Sequence, residues 1–501
     1  MAPTKCKTKH KPEKTKVGEE VLDLVISYID NVEDRNSVSL VSRKFHEIEG
    51  IMRKRVTVHV CYSPNLASLR KRFPFIESLT LKGPLYSFHG LRSTPWFQLL
   101  ALEFRCLKEL HIRNLVVRDE DLKTLARTHG KDLRSLKISK CEGFSTDGLR
   151  HVSKYCNQLR TLCLKYSDYI NVEDGTWFHQ LALNSTVLER LHVSYTDISY
   201  TKDLTLLAKN CCNSLISLKI GKCYLSKLGD AFRYAVRLEH FSGDNSDEES
   251  DLVGFKFPQN MCSINIEGWP VSRFSIVFPF LNQIRKLKLV YLEMDKECHC
   301  LLFKRCPNLE VLYTEDGCGD TGLQVISKFC KKLRKLTHKG GVTHVGLISL
   351  AKGCTNLESL EVFITDISSE ALDKLERLDI RLRHGELTDV GLEYIGKYGV
   401  NLRSLSVTRI GNFNVGLVKL SQGCQNLRKL KLFGCPFSEQ DVTSYVFNIR
   451  SLRCKAKGSL QQVTNFMKKG RGLCNCMKDE MAKMKSKHKK EDLFVKTDIL
   501  L

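Results

Sequence analysis

Apolar residues return along this chain in one phrase, Leu-x-x-Leu-x-Leu/Ile. It stands at Leu107/Leu110/Ile112, Leu133/Leu136/Ile138 and Leu159/Leu162/Leu164, then at Leu188/Leu191/Val193 and Leu215/Leu218/Ile220. A weaker copy starts at Leu238, and another is Ile284/Leu287/Leu289. Leu309, Leu333, Leu357, Leu375, Leu402 and Leu427 open the later copies, and most steps are 23–29 residues. Self-similarity at such a period marks a repeat architecture. The alternating part of each unit, such as Leu136-x-Ile138, predicts a short strand with one face inward. The apolar run that follows, such as residues 148–152, predicts a helix. One unit cannot bury both faces alone, so stacked units share a core and their strands line a concave side. The fold class expected is α/β, a leucine-rich-repeat solenoid curved into a horseshoe over residues 56–452.

Two breaks interrupt the period. Residues 245–258 contain Asp247-Glu248-Glu249-Ser250-Asp251, an acidic stretch that predicts a projecting loop. The step from Leu357 to Leu375 is only 18 residues. That is too short for a full unit, so residues 366–376 are expected to form a compressed turn or one short helix. Beyond Leu452 the sequence becomes Lys-rich. Residues 453–501 are therefore expected to be a poorly ordered basic tail, and the array to lack a polar cap.

Residues 17–55 differ in kind. Val21, Leu22, Leu24, Val25, Tyr28 and Ile29 recur at helical spacing. Residues 34–45 predict a second helix that Asp34 could cap. Such a unit is too small to stand alone comfortably, and its simplest role would be an N-terminal cap for the solenoid.

Composition narrows the function. The chain has 501 residues, 42% of them hydrophobic, which is too apolar for a disordered protein. No run approaches the roughly 20 apolar residues of a membrane span, so a soluble chain with no membrane partner is expected. The Lys-rich N-terminus has no apolar stretch behind it, which argues against secretion. The 21 Cys then read as reduced thiols. Cys156, Cys306, Cys330, Cys354 and Cys424 each precede a repeat Leu by three residues, where a small buried residue fits. Cys474-Asn-Cys476 has no second ligand pair, so no metal is expected. No phosphate loop, HExxH or Gly-x-Ser-x-Gly is present, so the chain is not expected to be an enzyme. Of the formal +23, residues 1–16 carry +5 and residues 453–501 carry +8, leaving +10 for the body. Residues 1–16 are read as a basic disordered tail. Neither tail interleaves aromatics with its Lys, so nucleic acid is the weaker partner reading.

The segment Asp34-Arg35-Asn36-Ser37-Val38-Ser39-Leu40-Val41-Ser42-Arg43-Lys44-Phe45 resembles an F-box core. With the repeats behind it, the chain resembles the plant F-box/leucine-rich-repeat hormone receptors. The likeness is to their jasmonate-receptor, coronatine-insensitive branch, with the auxin receptors as cousins. Arg72-Phe73-Pro74, Phe144-Ser145-Thr146-Asp147, Phe278-Pro279-Phe280, Cys306-Pro307-Asn308-Leu309 and Gly434-Cys435-Pro436-Phe437 carry that resemblance in order over residues 17–453.

The resemblance implies a substrate receptor of an SCF-type ubiquitin ligase. A Skp-type adaptor and a cullin–RING ligase would be its partners, and a transcriptional-repressor degron would be presented for degradation in the nucleus. Val21, Leu24, Val25, Ile29, Val38, Leu40 and Val41 are then the adaptor-binding candidates; sequence alone does not divide them between adaptor and repeats. The family holds an inositol phosphate on a basic concave face. Lys82 (placed after the first strand), His111, Arg113 and Lys429 are the positions that look kept, with Lys335 in place of a family Arg and Arg55 where the family has His. A jasmonoyl-isoleucine-like hormone would sit above, gripped through its carboxylate. The positions matching that pocket have diverged: Leu85 stands in the loop that carries an Arg in the family, beside Phe88. Thr337 and Phe433 stand where Arg is expected, and Phe363 and Arg381 where Tyr is. Three readings stay open: a jasmonate-receptor-like ligase subunit, a receptor that recognises another ligand or a protein directly, and a non-ligase repeat scaffold or degenerate paralogue.

Overall fold

The computed structural model describes residues 24–26, 28–29, 31–62, 66–84, 91–165, 175–193, 201–223, 225–245, 255–269, 271–292, 294–315, 318–357, 359–364, 377–380, 396–397, 404–408, 415–427, 429–433 and 498–500. The chain divides into two compact units, Met1–Tyr195 and Thr196–Leu501.

The first unit opens with α1 (Val32–Val38) and α2 (Arg43–Met52). The continuous helix expected over residues 34–45 does not form, because the chain turns at residues 39–41. Asp34 lies inside α1 and not at its start. The cap is Ser42, whose hydroxyl accepts from the Phe45 amide at 3.2 Å. A serine hydroxyl offers that orphan N–H a partner outside the helix, so a new helix starts instead of the old one continuing.

A buried ion cluster ties α2 to the segment before the second strand. The Glu49 side chain is fully buried, accepts from Arg53 Nε at 2.5 Å and faces Arg72 at 3.6 Å. Arg72 ends α3 (Leu66–Arg72) and lies 4.9 Å over the Phe73 ring. A Cβ at Gly50 would come within 2.6 Å of the Arg72 carbonyl, so the two segments meet at backbone distance.

Six strands follow: β1 (Arg55–His59), β2 (Ser78–Lys82), β3 (Glu109–Arg113), β4 (Ser135–Ser139), β5 (Thr161–Lys165) and β6 (Arg190–Val193). Each pairs in parallel with the next without a slip, so Leu79, Leu110, Leu136, Leu162 and Leu191 form one buried row. Lys82 is therefore the last residue of the second strand and does not follow the first. The sequence phrase misses β1 because Val56 and Val58 replace its Leu. Helices α4 (Thr94–Glu103), α5 (Asp119–His129), α6 (Thr146–Tyr155) and α7 (Thr176–Asn184) alternate with the strands and complete the core.

The second unit repeats the scheme with β7 (Ser217–Cys223), β8 (His240–Asn245), β9 (Ser263–Glu267), β10 (Lys286–Val290) and β11 (Val311–Thr314). It continues with β12 (Lys335–Val342), β13 (Ser359–Ile364), β14 (Arg377–Ile380), β15 (Ser404–Thr408) and β16 (Lys429–Phe433). Neighbours in this list pair in parallel. β17 (Asp498–Leu500) lies antiparallel on β16. The helices are α8 (Thr201–Asn210), α9 (Gly229–Tyr234), α10 (Lys296–Lys304), α11 (Gly319–Phe329), α12 (His344–Gly353) and α13 (Val415–Gly423).

β9 is a repeat strand that the Leu phrase passes over. Met261-x-x-Ile264-x-Ile266 supplies it, with all three side chains buried. The short step is absorbed directly, since Leu360 pairs with Leu378; residues 366–376 lie outside the described residues. The five repeat Cys are buried, and burial pushes the Cys156 and Cys306 thiols up to about 12. They pack as small apolar groups and carry no thiolate at neutral pH.

Candidate functional site

The N-terminal helices expose apolar side chains. Leu24, Val25, Tyr28, Leu40 and Val41 are all open to solvent, whereas Ile26, not among the adaptor candidates, is buried. Ile29 and Val38 are half-buried. Arg35 holds this segment together, donating from Nε to the Ile29 carbonyl at 2.5 Å and from Nη2 to the Ile26 carbonyl at 3.4 Å. Val21 lies outside the described residues. The structure thus separates one core position from an exposed apolar set, a division that helical spacing alone does not make.

The strand register arranges the side chains that alternate with the buried rows. In the first unit one such row runs Thr57, Thr80, His111, Lys137, Cys163, His192. The next runs His59, Lys82, Arg113, Ser139, Lys165. Lys82, His111 and Arg113 therefore stand together, and Arg55 begins the edge strand of the same sheet. His111 is half-buried, with Ser139 Oγ at 3.4 Å. Burial first, then Lys137, Arg113, Lys82 and Lys165, holds its imidazole below the ordinary value. None of those four cations belongs to an ion pair between described residues; the nearby pairs are Lys108–Glu77, Arg160–Glu189 and Arg190–Glu189. Sequence reasoning missed Lys137, Lys165 and His192, because only the register shows that they share rows with His111 and Arg113.

In the second unit Lys335 opens β12 and is exposed, and Thr337 pairs with Tyr313. Phe363 pairs with Gly341, Lys429 with Ser404 and Phe433 with Thr408; the side chains of these three, and all of Leu85, Phe88 and Arg381, lie outside the described residues. Around Thr337 the polar groups already satisfy one another. The Tyr313 hydroxyl donates to Glu315 Oε1 at 2.5 Å, and the Lys339 ammonium donates to the same oxygen. Lys288 and Lys339 lie 5.2 and 5.3 Å from the Tyr313 ring centre. Burial opposes ionisation of Glu315, but the hydrogen bonds from Lys339 and Tyr313 outweigh it and leave its carboxyl below the usual range. Elsewhere in this unit, Glu239, His240 and Cys262 each bring one ligand-type atom within 4.8 Å of the others. Burial first, then the Glu239 charge, pushes the Cys262 thiol up.

His338, beside Thr337, is fully buried, with Nδ1 at 4.0 Å from Cys318 Sγ and no described partner for Nε2. Burial, aided by His299, pushes it down to about 4. The folded chain therefore keeps it neutral while the unfolded chain takes a proton below about 6.5. Its stabilising contribution is complete above the unfolded value and is lost as pH falls from there through about 4. Between pH 7 and pH 4.5 the loss is expected to be roughly 2–3 kcal/mol, read as a fall in urea midpoint. His338→Phe should flatten that part of the pH profile; an unchanged slope would refute the assignment.

Among the described residues, no helix is long and apolar enough to cross a membrane. A family model described as F-box matches residues 14–55. Coronatine-insensitive protein homolog 1b of Oryza sativa subsp. japonica is 38% identical over 502 residues, spanning 87% of this chain and 84% of that protein. Coronatine-insensitive protein 1 of Arabidopsis thaliana is 35% identical, with the same two shares. GRR1-like protein 1 of Arabidopsis thaliana is 30% identical over 87% of this chain and 85% of its own length.

Proposed function

The chain belongs to the coronatine-insensitive family of F-box proteins, the non-catalytic substrate receptors of SCF-type ubiquitin ligases, and on that premise we propose that it is a jasmonate-receptor-like subunit. Its F-box takes a Skp-type adaptor and through it the cullin–RING ligase. Its repeats present a transcriptional repressor for ubiquitination, in the nucleus. The ligase supplies the chemistry; this chain supplies positioning.

The observation that carries the reading is the cation group around His111. Lys82, Arg113, Lys137 and Lys165 crowd one half-buried imidazole with no carboxylate among them in a described ion pair. That arrangement is electrostatically unfavourable alone and suits a polyphosphate, which would be held by Lys82, His111 and Arg113, with Arg55 on the edge strand of the same sheet. A bound inositol phosphate would supply fixed negative charge to this face. Lys82→Ala/Arg113→Ala is expected to weaken inositol hexakisphosphate binding by 100-fold or more, measured by calorimetry on the adaptor complex. Unchanged affinity would remove the cofactor from the proposal.

A second reading is favoured by Thr337 and its neighbours. Glu315 already neutralises Lys339, and the resemblance places an Arg where Thr337 stands. A receptor built this way grips a ligand carboxylate weakly and recognises another ligand or a protein directly. Co-expression with the adaptor, followed by capture on an immobilised repressor degron with and without coronatine, separates the two. Coronatine-dependent capture supports the first reading. Adaptor binding without capture leaves the second.

A further inference from the structure

Glu239, His240 and Cys262 meet where two repeats of the second unit stack. His240 opens β8 and pairs with Ser263, the first residue of β9. Glu239 and Cys262, each just ahead of its strand, are therefore neighbours in the stack. The Glu239 carbonyl accepts from the Cys262 and Ser263 amides, both at 2.9 Å, which fixes the two backbones against each other. His240 Nδ1 lies 4.0 Å from Cys262 Sγ, and His240 Nε2 lies 3.8 Å from Glu239 Oε2. Both gaps are longer than a strong hydrogen bond. They are close to the roughly 3.5 Å between ligand atoms of a tetrahedral zinc ion with bonds of about 2.0–2.3 Å. One ligand-type atom from each side chain falls within 4.8 Å of the others, and among the described residues no other trio of His, Cys, Asp or Glu does so.

We propose that Glu239, His240 and Cys262 form a zinc site with a fourth position open to water. It is independent of the receptor reading, and it revises the expectation from sequence that the chain holds no metal. No short motif marks it, because the stacking of repeats brings Cys262 beside a His that stands 22 residues earlier. Thiolate, imidazole and carboxylate are the three zinc ligand types, whereas magnesium and calcium take oxygen ligands alone. Binding replaces the Cys262 S–H bond with an S–Zn bond and releases that proton to solvent. The thiolate and the Glu239 carboxylate then match the double charge of the ion. Arg285 and Lys286 of the next repeat oppose a cation here, and Glu310 beyond them offsets part of that opposition. Cys262 is also accessible: the five repeat Cys are buried in the core, but Cys262 is partly exposed, as are His240 and Glu239. An ion and its water can therefore reach the three side chains without opening the fold.

The test titrates Co²⁺ and then Zn²⁺ into the full chain with its thiols kept reduced. Cobalt is expected to give a sulfur-to-cobalt charge-transfer band in the near ultraviolet, which zinc then bleaches. Cys262→Ser should remove that band while leaving the circular dichroism spectrum unchanged. Losing a group that merely orients a ligand costs about 10–100-fold in metal affinity, so losing a ligand should cost no less. His240→Ala and Glu239→Gln should each weaken zinc by at least that factor, read by competition with a chromophoric chelator. Cys474→Ser/Cys476→Ser should leave the band intact. No band in the wild-type chain would overturn the proposal. So would a band that survives Cys262→Ser or is lost with the Cys474/Cys476 pair, since thiols elsewhere would then hold the metal. Should Cys262→Ser misfold, the other two variants decide, and unchanged zinc affinity in both would overturn the site.

Discussion

Replacing Leu40 and Val41 together with Asp is expected to abolish co-purification with a Skp-type adaptor while leaving the chain folded. The two side chains are 83% and 68% exposed, on the turn between α1 and α2. Their amides are satisfied locally, Leu40 N donating to the Ser37 carbonyl and Val41 N to the Val38 carbonyl, each at 3.1 Å. The turn therefore does not depend on their side chains. Single exposed apolar residues are ordinary, but Leu24, Val25, Tyr28, Leu40 and Val41 crowd one short segment, which marks a surface that another protein covers. Burying a Leu and a Val contributes about 3–6 kcal/mol, and a carboxylate in their place adds a desolvation cost. The loss is then two to four orders of magnitude in affinity, or more. Ile26→Asp is the contrasting variant. Ile26 is buried, so that change should unfold the helical unit itself, visible as lost helicity. Retained adaptor binding in the double variant, with a native circular dichroism spectrum, would place the contact elsewhere.

The strands were legible wherever Leu filled the first inward position of the phrase, since a period-two pattern at a fixed repeat has few other solutions. They were lost where other apolar residues did the same job. Met261, Ile264 and Ile266 build β9 as well as leucines would, but the acidic stretch before them hides the period. The break after α1 was lost for a different reason. The sequence from Asp34 to Phe45 carries a helical stripe throughout, and only the competition of the Ser42 hydroxyl for the Phe45 amide tells that two helices share it. The basic face was half legible. Lys82, His111 and Arg113 were found by resemblance, whereas Lys137 follows His111 by 26 residues and Lys165 follows Lys137 by 28, and only the register puts them on the same face. Glu49 could not be read at all, because an acid on a predicted helix looks solvated until Arg53 and Arg72 are seen to enclose it.

Asp320→Ala is expected to be the most damaging single change between two repeats. Its carboxylate accepts three hydrogen bonds from the next repeat: Thr343 N at 2.9 Å, Thr343 Oγ1 at 2.6 Å and Gly346 N at 3.2 Å. The first unit builds the same clamp, Asp119 accepting from Ser145 N at 2.7 Å, Ser145 Oγ at 2.8 Å and Gly148 N at 3.0 Å. In both, the Ser or Thr hydroxyl also accepts from the helix it starts, from Asp147 N and from Val345 N. The carboxylate therefore fixes the cap that starts the neighbouring helix, and the glycine is required because a Cβ at Gly148 or Gly346 would sit 2.5 Å from the carboxylate oxygen. Hydrogen bonds to a charged acceptor are worth roughly 1.5–3 kcal/mol each and are not additive, so a loss of about 3–5 kcal/mol is expected. Because stacked repeats are coupled to nearest neighbours, the loss should be local. Amide exchange should speed by two to three orders of magnitude in α11 and α12 and far less in α5 and α6. Thr343→Ala should reproduce part of the effect, and the double variant should fall short of the sum, since both changes remove the same bond. Uniform acceleration along the chain would mean that Asp320 supports the whole fold and not one interface; no acceleration would mean that water replaces the clamp at no cost.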